Sequence, residues 1–199
     1  MEPDIDDSST RKMLILASAS PRRRELIARL GITPDAVAAA DIDETPRKSE
    51  VPRDYAMRMA REKAQAAASD NAHVLAGDTV VALGRRILPK AEDEVTARRC
   101  LSLMSGRRHR VLSAVALRHP DGTLRERLSE TIVRFKPLSA VEIDAYIAGG
   151  EWHGKAGGYA IQGSAEGLIA WITGSHSGVV GLPLFETRAL LKAAGFPLD

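Results

Sequence analysis

The most constraining feature of this sequence is a pair of long strand-like segments joined by a tight turn. The segments span residues 109–117 and 124–135, and Asp121 and Gly122 lie between them. Asp-Gly between two such segments is a strong signal for a β-hairpin, because glycine adopts the left-handed backbone that a tight turn needs. The hairpin requires antiparallel pairing, whereas the other strand-like and helix-like segments mix without strict alternation. We therefore expect one α/β or α+β domain in which helices flank a mixed sheet.

Periodic patterns predict the other elements. Helices are expected over residues 23–30, 52–68, 92–104, 139–148 and 184–194, and strands over residues 13–17, 35–40, 74–83 and 167–173. Ser139 and Glu142 have the spacing of a capping box, in which each side chain accepts from a free backbone N–H near the helix start. The strand over residues 74–83 is expected to be interrupted where Gly77, Asp78 and Thr79 follow one another.

Composition restricts the class of protein. A chain of 199 residues can bury a substantial core within one domain. The formal net charge is only +2, and basic and acidic residues are spread along the whole chain. This charge pattern does not indicate a nucleic-acid binder. We therefore expect a single domain over residues 12–199 and no stable nucleic-acid partner.

Cys100 is the single cysteine, which rules out an internal disulfide. It lies at helical spacing with Ala97 and Met104, so we expect a buried helix residue rather than a nucleophile. No segment is apolar over the length that a membrane span needs. Residues 1–11 are polar and begin acidic, unlike a secretory signal, and we expect them to form a flexible tail without function. These features are typical of a cytoplasmic protein.

Residues 18–24, SASPRRR, follow a predicted strand and open a predicted helix. Free backbone N–H groups at a helix start bind phosphate oxygens, and so do arginine side chains. The segment therefore indicates a polyphosphate-binding loop. A basic helix start that is exposed to solvent and capped by Ser20 explains the same residues equally well. Arg24 is expected to point away from the other arginines, since neighbouring helix residues do not share a face.

A buried acid is predicted in the segment VLAGDTVV, residues 74–81. Asp78 lies between two apolar halves of a strand, where a carboxylate is unfavourable unless something compensates for it. A metal ion or a water that is to be activated would do so, and Gly77 would leave room for a ligand. An aspartate in a tight bend between two strands is the alternative.

Lys63 is predicted on the alanine-rich, buried face of the helix over residues 52–68. A buried cation needs a partner, and a phosphate or a carboxylate would serve. The acidic segment at residues 41–46, DIDETP, has by itself the pattern of an ordinary solvated loop.

A glycine-rich segment spans residues 152–163, WHGKAGGYAIQG. Glycines without hydrophobic periodicity are typical of a loop whose backbone comes close to a ligand. Gln162 carries a donor and an acceptor that can read the edge of a base. A flexible surface loop is the alternative, although Tyr159 and Ile161 indicate that the loop is anchored.

Taken in order, these segments resemble the Maf family of nucleoside triphosphate pyrophosphatases. The resemblance covers nearly the whole chain after Lys12 and is carried by LILASASPRRRELIARLG, DIDE, AREKA, LAGDTVV, ILPKAED, LMSGRRHRV, GEWHGKAGGYAIQG and ITGSHSGVVGLPLFET. It implies an α/β (α+β) fold with an elongated mixed β-sheet flanked by helices. Two lobes would surround a central cleft, as in inosine triphosphatases. Members of the family are often described as cytoplasmic homodimers.

The resemblance also implies hydrolysis of a nucleoside triphosphate to the monophosphate and pyrophosphate, assisted by a divalent metal cation, Mg²⁺ or Mn²⁺. Asp78 would be the general base for the attacking water, and Glu44 and Asp78 would bind the metal. Substrate would be bound by the following residues: Ser18, Arg22, Arg23, Lys63, Thr79, Lys90 and Gln162. Lys155 would contact either phosphate or only its own loop.

Arg22, Thr79 and Gln162 stand where subgroups of the family differ, and this combination is similar to the subgroup that acts on dTTP and UTP. Action on 7-methyl-GTP or on non-standard purine triphosphates is the alternative. A nucleic-acid-binding or cell-division regulatory protein is the alternative of another class. Ala91 follows Lys90 where the family usually has proline, so we expect a less rigid loop at that point.

Overall fold

The structure, a computed structural model, describes residues 11–198. Of the tail predicted over residues 1–11, only Arg11 falls within this range, and it donates a 2.6 Å hydrogen bond to Asp35 Oδ1. The rest of that prediction lies outside the described residues. Within residues 11–198, no helix combines the length and the apolar character needed to cross a membrane.

Strands and helices follow one another in a mixed order. The strands are β1 Leu14–Ala17, β2 Ala36–Val37, β3 His73–Leu83, β4 Arg86–Leu88, β5 Lys90–Ala91, β6 Arg108–Arg118, β7 Leu124–Phe135, β8 Lys155–Ala156 and β9 Ile169–Thr173. The α-helices are α1 Pro21–Ala28, α2 Pro52–Ala66, α3 Glu94–Met104, α4 Ala140–Ala148, α5 His176–Val180 and α6 Leu184–Ala193, and a short 3-10 helix spans Ser164–Leu168.

The main sheet has the strand order β2-β1-β3-β6-β7-β9, and β4 pairs with the end of β3. β1 is parallel to β2 and β3, whereas the pairs β3–β6, β6–β7 and β7–β9 are antiparallel. A separate two-stranded sheet joins β5 to β8. The prediction of a mixed sheet flanked by helices is therefore confirmed, while the elongated, two-lobed outline stays a prediction.

The predicted hairpin is formed by β6 and β7. Its register runs from Arg108 opposite Arg134 to Arg118 opposite Leu124, and Gly122 in the turn has φ +86°. A side chain would be strained at that φ, which explains why glycine follows aspartate here. The hairpin places β6 in the middle of the sheet, between β3 and β7.

Helices cover both faces of the sheet around β3. Successive strand residues point to opposite faces, and β3 follows this rule. Val74 and Ala76 belong to the buried cluster formed with α2, including Ala60 of that helix. Leu75 belongs to the cluster that also contains Leu26 of α1 and residues of α6. Burial on both faces explains why β3 has an almost continuous apolar sequence.

Two local predictions are confirmed. Ser139 accepts from the backbone N–H of Glu142 while the Glu142 carboxylate accepts from the N–H of Ser139, which is the capping box at the start of α4. Cys100 is buried in α3 and packs within a hydrophobic cluster. Each of these two predictions was based on residues that lie close together in the sequence.

Most element bounds shift by one or two residues from the predictions, and three differences concern segments near the cleft. Helix α1 begins at Pro21 rather than Arg23, because the fixed φ of proline suits the first helical position. The strand predicted over residues 35–40 shrinks to Ala36–Val37, which is exposed and buries no apolar face. The interruption expected in β3 is absent, since the strand pairs with β6 without a break and Asp78 lies opposite Ala114.

Candidate active site

A cleft of ≈ 440 Å³ is lined by residues from the end of β1, the middle of β3, the sheet of β5 and β8, and α5. All residues predicted to bind substrate or metal, or to activate water, line this cleft: Ser18, Arg22, Arg23, Glu44, Lys63, Asp78, Thr79, Lys90 and Gln162. Lys155 lines it as well. The fold thus brings together side chains that are far apart in the sequence, and their individual roles stay predictions.

The loop between β1 and α1 is stabilised by its own polar groups. Ser18 Oγ accepts from the backbone N–H of Ser20 at 3.2 Å and from Arg23 Nη1 at 3.0 Å. Arg23 Nε donates to the backbone oxygen of Gly181 at 2.8 Å. Ser20 precedes α1, but its side chain makes no capping hydrogen bond. The alternative interpretation, a helix start capped by Ser20, is therefore wrong.

Arg22 differs from Arg23 because its guanidinium makes no hydrogen bond or ion pair with any residue in the described range. Partial burial lowers the pKa of Arg22. The pKa of Lys155 is lowered as well, mainly by burial and also by the nearby charge of Arg22. Lys155 Nζ donates to the backbone oxygen of His153 at 2.9 Å. Arg24 is exposed, as predicted. The cleft therefore contains one arginine that is available to a ligand.

Asp78 lies in the middle of β3 and is 5% exposed. Its Oδ1 accepts a 2.7 Å hydrogen bond from Lys63 Nζ. A buried carboxylate needs such a partner, because the loss of hydration is otherwise uncompensated. The alternative of an aspartate in a tight bend is wrong, and the compensation that the sequence required comes at least in part from Lys63.

Lys63 is the centre of a charged cluster with Glu44 and Lys90. Its Nζ lies 2.7 Å from Glu44 Oε1 as well as 2.7 Å from Asp78 Oδ1, and Lys90 Nζ lies 2.9 Å from Glu44 Oε2. The partners of Lys63 in this structure are therefore carboxylates. Glu44 is not an ordinary solvated loop residue, so the interpretation of residues 41–46 from their pattern alone is wrong at this position.

The two lysines set the charge of Glu44. Burial by itself would raise the pKa of Glu44, but hydrogen bonds and charge from Lys63 and Lys90 outweigh it and lower the pKa to about 2. Glu44 is thus a carboxylate at neutral pH. It faces the cleft between two cations.

Thr79 and Gln162 differ in how far their polar atoms are already used. Thr79 Oγ1 lies 3.1 Å from Ser113 Oγ and donates to the backbone oxygen of Gly181 at 3.3 Å. Gln162 is exposed in the cleft, and its amide makes no hydrogen bond within residues 11–198. Gln162 therefore has its full donor and acceptor capacity for a ligand.

The glycine-rich segment is anchored, as Tyr159 and Ile161 indicated, since these side chains are only 5% and 3% exposed. Tyr159 OH lies 2.9 Å from His109 Nε2. The reason predicted for the glycines is wrong at two positions. A Cβ on Gly157 would lie 2.9 Å from Val81 Cγ1, and one on Gly158 would lie 3.1 Å from the Cα of Ala97 in α3. These glycines allow contact with protein, not with a ligand.

The expectation that Gly77 leaves room for a ligand is wrong, and the lower rigidity expected after Lys90 stays a prediction. A Cβ on Gly77 would lie 3.2 Å from the backbone oxygen of Ala114 and 3.4 Å from Arg23 Nε, so the space beside Gly77 is filled by β6 and Arg23. Lys90 and Ala91 form β5 and pair with β8, with Lys90 opposite Ala156. The segment is thus part of a short two-stranded sheet.

Sequence reasoning assigned no role to the segment that contains Gly181. Its carbonyl accepts from both Arg23 and Thr79, and Gly181 has φ +141°. Glu92 also lines the cleft and was not singled out. The turn at Gly181 could have been predicted from its sequence, because a glycine shortly before Pro183 is typical of a turn.

The donor set can be compared with what a divalent cation needs. Within the described residues, no three or more histidine, cysteine, aspartate or glutamate side chains gather as a metal site. Glu44 and Asp78 are joined by one lysine nitrogen, so their carboxylates converge. Mg²⁺ commonly binds one or two carboxylates and takes its other ligands from water and substrate phosphates. The residues present fit a cation that arrives with a phosphate ligand.

Comparison with known proteins gives a consistent result. The sequence model of a family described as Maf-like protein matches residues 13–194. A dTTP/UTP pyrophosphatase from Novosphingobium aromaticivorans is 72% identical over 92% of each chain. A dTTP/UTP pyrophosphatase from Zymomonas mobilis is 61% identical over 94% of this chain and 93% of the relative.

Among solved structures, a nucleoside-triphosphatase, dITP/XTP pyrophosphatase, from Mycobacterium abscessus aligns with a TM-score of 0.43 and 18% identity. The alignment covers 64% of this chain and 75% of that one. This overlap is partial.

Proposed function

The chain belongs to the Maf family, and on that premise we propose that it hydrolyses dTTP and UTP to the monophosphate and pyrophosphate. Relatives named dTTP/UTP pyrophosphatase match at 72% and 61% identity over most of the chain. The structural observation that carries the proposal is the position of Lys63 Nζ, 2.7 Å from both Asp78 and Glu44 in a cleft with further cations. A buried acid beside cations suits hydrolysis of an anionic substrate.

The triphosphate would be held by the basic side chains of the cleft. Arg22 has no protein partner in the described range and can offer paired N–H donors to phosphate oxygens. Lys90 and Lys155 add point charges on the same cleft. Ser18 and Arg23 are bound to each other at 3.0 Å, so their contribution is to shape the loop as well as to contact phosphate.

Asp78 would take the proton from the attacking water. Its Oδ1 is occupied by Lys63, which leaves Oδ2 as the acceptor. Burial in β3 fixes the direction of the carboxylate, and a positioned base is what general-base catalysis requires. Lys63 compensates for the negative charge before the reaction and becomes available to phosphate oxygens during it.

A divalent cation, Mg²⁺ or Mn²⁺, is part of the proposal, with Glu44 and Asp78 as its protein ligands. When bound, such a cation neutralises phosphate charge and lowers the pKa of a bound water. For Glu44 and Asp78 to serve as ligands, each must exchange a lysine for the cation at one oxygen; in Asp78 this oxygen is Oδ1, so Oδ2 would remain the proton acceptor. Its pKa of about 2 keeps it ionised for either partner.

Base selection is proposed for Gln162 and Thr79. Gln162 has an unused donor and acceptor, which match the donor and acceptor on the edge of a pyrimidine. Thr79 already shares its hydroxyl with Ser113 and Gly181, so it shapes the pocket wall as much as it reads the base. The cytoplasmic location and the homodimer that the resemblance implies remain predictions.

The first experiment measures pyrophosphate and monophosphate from a panel of triphosphates with Mg²⁺ or Mn²⁺. The panel contains dTTP, UTP, 7-methyl-GTP and dITP as well as the standard nucleotides. We expect the highest kcat/KM with dTTP and UTP. Higher values for 7-methyl-GTP or dITP would replace the proposed substrate, and release of orthophosphate in place of pyrophosphate would refute the reaction.

Asp78→Asn tests the base within the same assay. Asparagine keeps the size of the side chain but accepts no proton from water, so kcat should fall by about 100-fold or more. Asp144→Asn is the control, because Asp144 is an exposed acid on α4 that does not line the cleft. An Asp78→Asn enzyme with nearly the wild-type rate would remove Asp78 from this role.

A further inference from the structure

Glu44 is carried by residues 38–51, a stretch without helix or strand between β2 and α2. Such a stretch has few main-chain hydrogen bonds of its own to hold a side chain in place. Glu44 nevertheless reaches Lys63 at 2.7 Å and Lys90 at 2.9 Å. Its placement therefore depends on the contacts that the loop makes with the rest of the protein.

Arg58 on α2 makes three of these contacts. Its Nε and Nη2 donate to the two carboxylate oxygens of Glu50 at 2.7 and 2.8 Å. Nη2 also donates to the backbone oxygen of Thr45 at 3.1 Å, and Nη1 donates to Glu62 Oε2 at 3.1 Å. The side chains of Arg58 and Glu50 are each 9% exposed. A buried two-point ion pair of this kind determines orientation as well as distance, because both groups are planar.

Tyr55 attaches the loop from the same face of α2. Its OH donates to the backbone oxygen of Glu44 at 2.7 Å, and Arg58 Cζ lies 5.4 Å from the centre of its ring. Residues three apart are neighbours on a helix surface. Two adjacent carbonyls, those of Glu44 and Thr45, are therefore held by adjacent side chains of one helix. The same helix also carries Lys63, which binds the Glu44 carboxylate.

From this arrangement we infer that Arg58 and Glu50 are positioning residues for the reaction: their ion pair, together with Tyr55, holds Glu44 where its carboxylate meets Lys63 and Lys90. The inference rests on the proposed function, in which Glu44 acts in the cleft. Arg58 and Glu50 do not line the cleft themselves. Their effect on the reaction therefore passes through Glu44.

The pair stays intact over a wide pH range. Arginine is always protonated in proteins. The hydrogen bonds from Arg58 are the main reason that the pKa of Glu50 is lowered to about 2. Ordinary assay conditions therefore do not break the attachment, and a substitution is needed to test it.

The test compares Arg58→Lys with Arg61→Lys. Lysine keeps the charge but cannot hold both oxygens of Glu50. Arg61 lies on the same helix and makes a more exposed two-point pair with Glu126, with both bonds 2.9 Å. This pair joins α2 to β7 and, among the described residues, makes no hydrogen bond or ion pair with the loop. We expect kcat for dTTP to fall about 10- to 100-fold in Arg58→Lys and to change less than about 2-fold in Arg61→Lys. Equal losses would indicate a general effect on the helix and overturn the inference.

A double-variant cycle separates positioning from overall folding. Glu44→Ala removes the residue that Arg58 positions, so adding Arg58→Lys to it should change kcat by less than about 2-fold. If Arg58→Lys lowered kcat by the same factor in the wild type and in Glu44→Ala, Arg58 would act independently of Glu44, and the inference would fail. Glu50→Gln keeps the shape of the pair and provides a second variant, which should behave in the same way.

Hydrogen exchange provides a readout that needs no activity. The Arg47 amide donates to Glu50 Oε2 at 2.9 Å, so Arg58→Lys should speed exchange in residues 43–48 by about 10-fold. In Arg58→Lys, exchange in β3 and β6 should stay unchanged. In Arg61→Lys, exchange should stay unchanged throughout the chain. Unchanged exchange in residues 43–48 would overturn the inference. Failure of the wild type to release pyrophosphate would instead refute the proposed function, so the two failures are distinguishable.

Discussion

At the scale of single residues, three adjacent arginines have three different environments. Arg22 faces the cleft without a protein partner in the described range, Arg23 binds Ser18 and the carbonyl of Gly181, and Arg24 is exposed. Neighbouring residues of a helix point in different directions, so a run of like residues cannot share one role. Within one turn, the start of α1 thus directs one arginine into the cleft, one to the loop and one to solvent.

This separation leads to a prediction for Arg22→Lys, with Arg24→Lys as its matched control. Lysine offers a point charge in place of paired planar donors, so the KM for dTTP should rise by about 10-fold with a smaller change in kcat. Arg24→Lys should leave both constants within about 2-fold. Steady-state kinetics with varied dTTP measures this. A KM that rises equally in both variants would contradict the assignment of Arg22 to the substrate.

At the scale of elements, two helix starts show how local sequence decides a cap. Ser139 is followed three residues later by Glu142, and both capping hydrogen bonds form. Ser20 is followed three residues later by Arg23, which donates to Gly181 and Ser18 instead. The Ser20 side chain gives no acceptor to the first N–H groups of α1. The reciprocal bond of a capping box is also impossible there, because arginine at the third helical position has no acceptor.

The loop that carries β8 depends on glycine for backbone conformation, as a tight turn does, and at one position also for close packing. Gly157 has φ +68° and Gly150 has φ +71°, so alanine would be strained by about 1 kcal/mol at either position. At Gly157 the new Cβ would also lie 2.9 Å from Val81 Cγ1, whereas at Gly150 it would meet nothing within 4 Å. The two positions therefore separate backbone strain from steric overlap.

We predict that Gly157→Ala destabilises the fold by about 2 to 4 kcal/mol and Gly150→Ala by about 1 kcal/mol. Urea unfolding of both variants gives the difference. The loss caused by Gly157→Ala should be smaller in a Val81→Ala background than in the wild type, since Val81→Ala removes the 2.9 Å contact with Cγ1 but leaves Cβ at 3.1 Å and the backbone strain. Equal losses in the two single variants would show that the contact with Val81 has no energetic effect.

At the scale of the whole molecule, a buried histidine links stability to pH. His109 on β6 is 2% exposed, bonds Tyr159 OH at 2.9 Å and stacks on Phe135 at 5.5 Å between ring centres. Burial lowers the pKa of His109 to about 4. In the unfolded chain a histidine has a pKa of about 6.5. Between these values the unfolded state binds more protons, so stability falls as the pH falls.

The predicted loss is about 2 kcal/mol of unfolding free energy between about pH 7.5 and pH 5 from this residue alone. Over the same pH interval, the unfolding free energy of His109→Gln should fall by about 2 kcal/mol less than that of the wild type. Glutamine can still form a hydrogen bond with Tyr159, but it does not titrate. Urea unfolding of both proteins at the two pH values measures the difference, and the other groups that titrate in this range, the remaining histidines above all, contribute equally to both. Parallel pH profiles would mean that His109 is not held neutral in the folded state.

The sequence by itself determined most elements and two features of the site. Hydrophobic period, the Asp121-Gly122 turn and the Ser139 cap are local, so they could be interpreted without the fold. Local reasoning also established that Asp78 and Lys63, polar residues on apolar faces, would each need a partner. The assignment of the cleft residues as a set came from the family resemblance.

Only the tertiary structure decided which partner each of these residues has. Lys63 binds Asp78 and Glu44, which come from a strand and a loop that the sequence separates, and Arg23 reaches Gly181. The glycines beside Val81 and Arg23 likewise make room for protein, although their pattern suggested a ligand. A local pattern shows that a side chain needs a contact or that a backbone needs space. The distances that satisfy the need arise only when distant segments pack together, because hydrogen bonds and steric overlap act over a few ångströms.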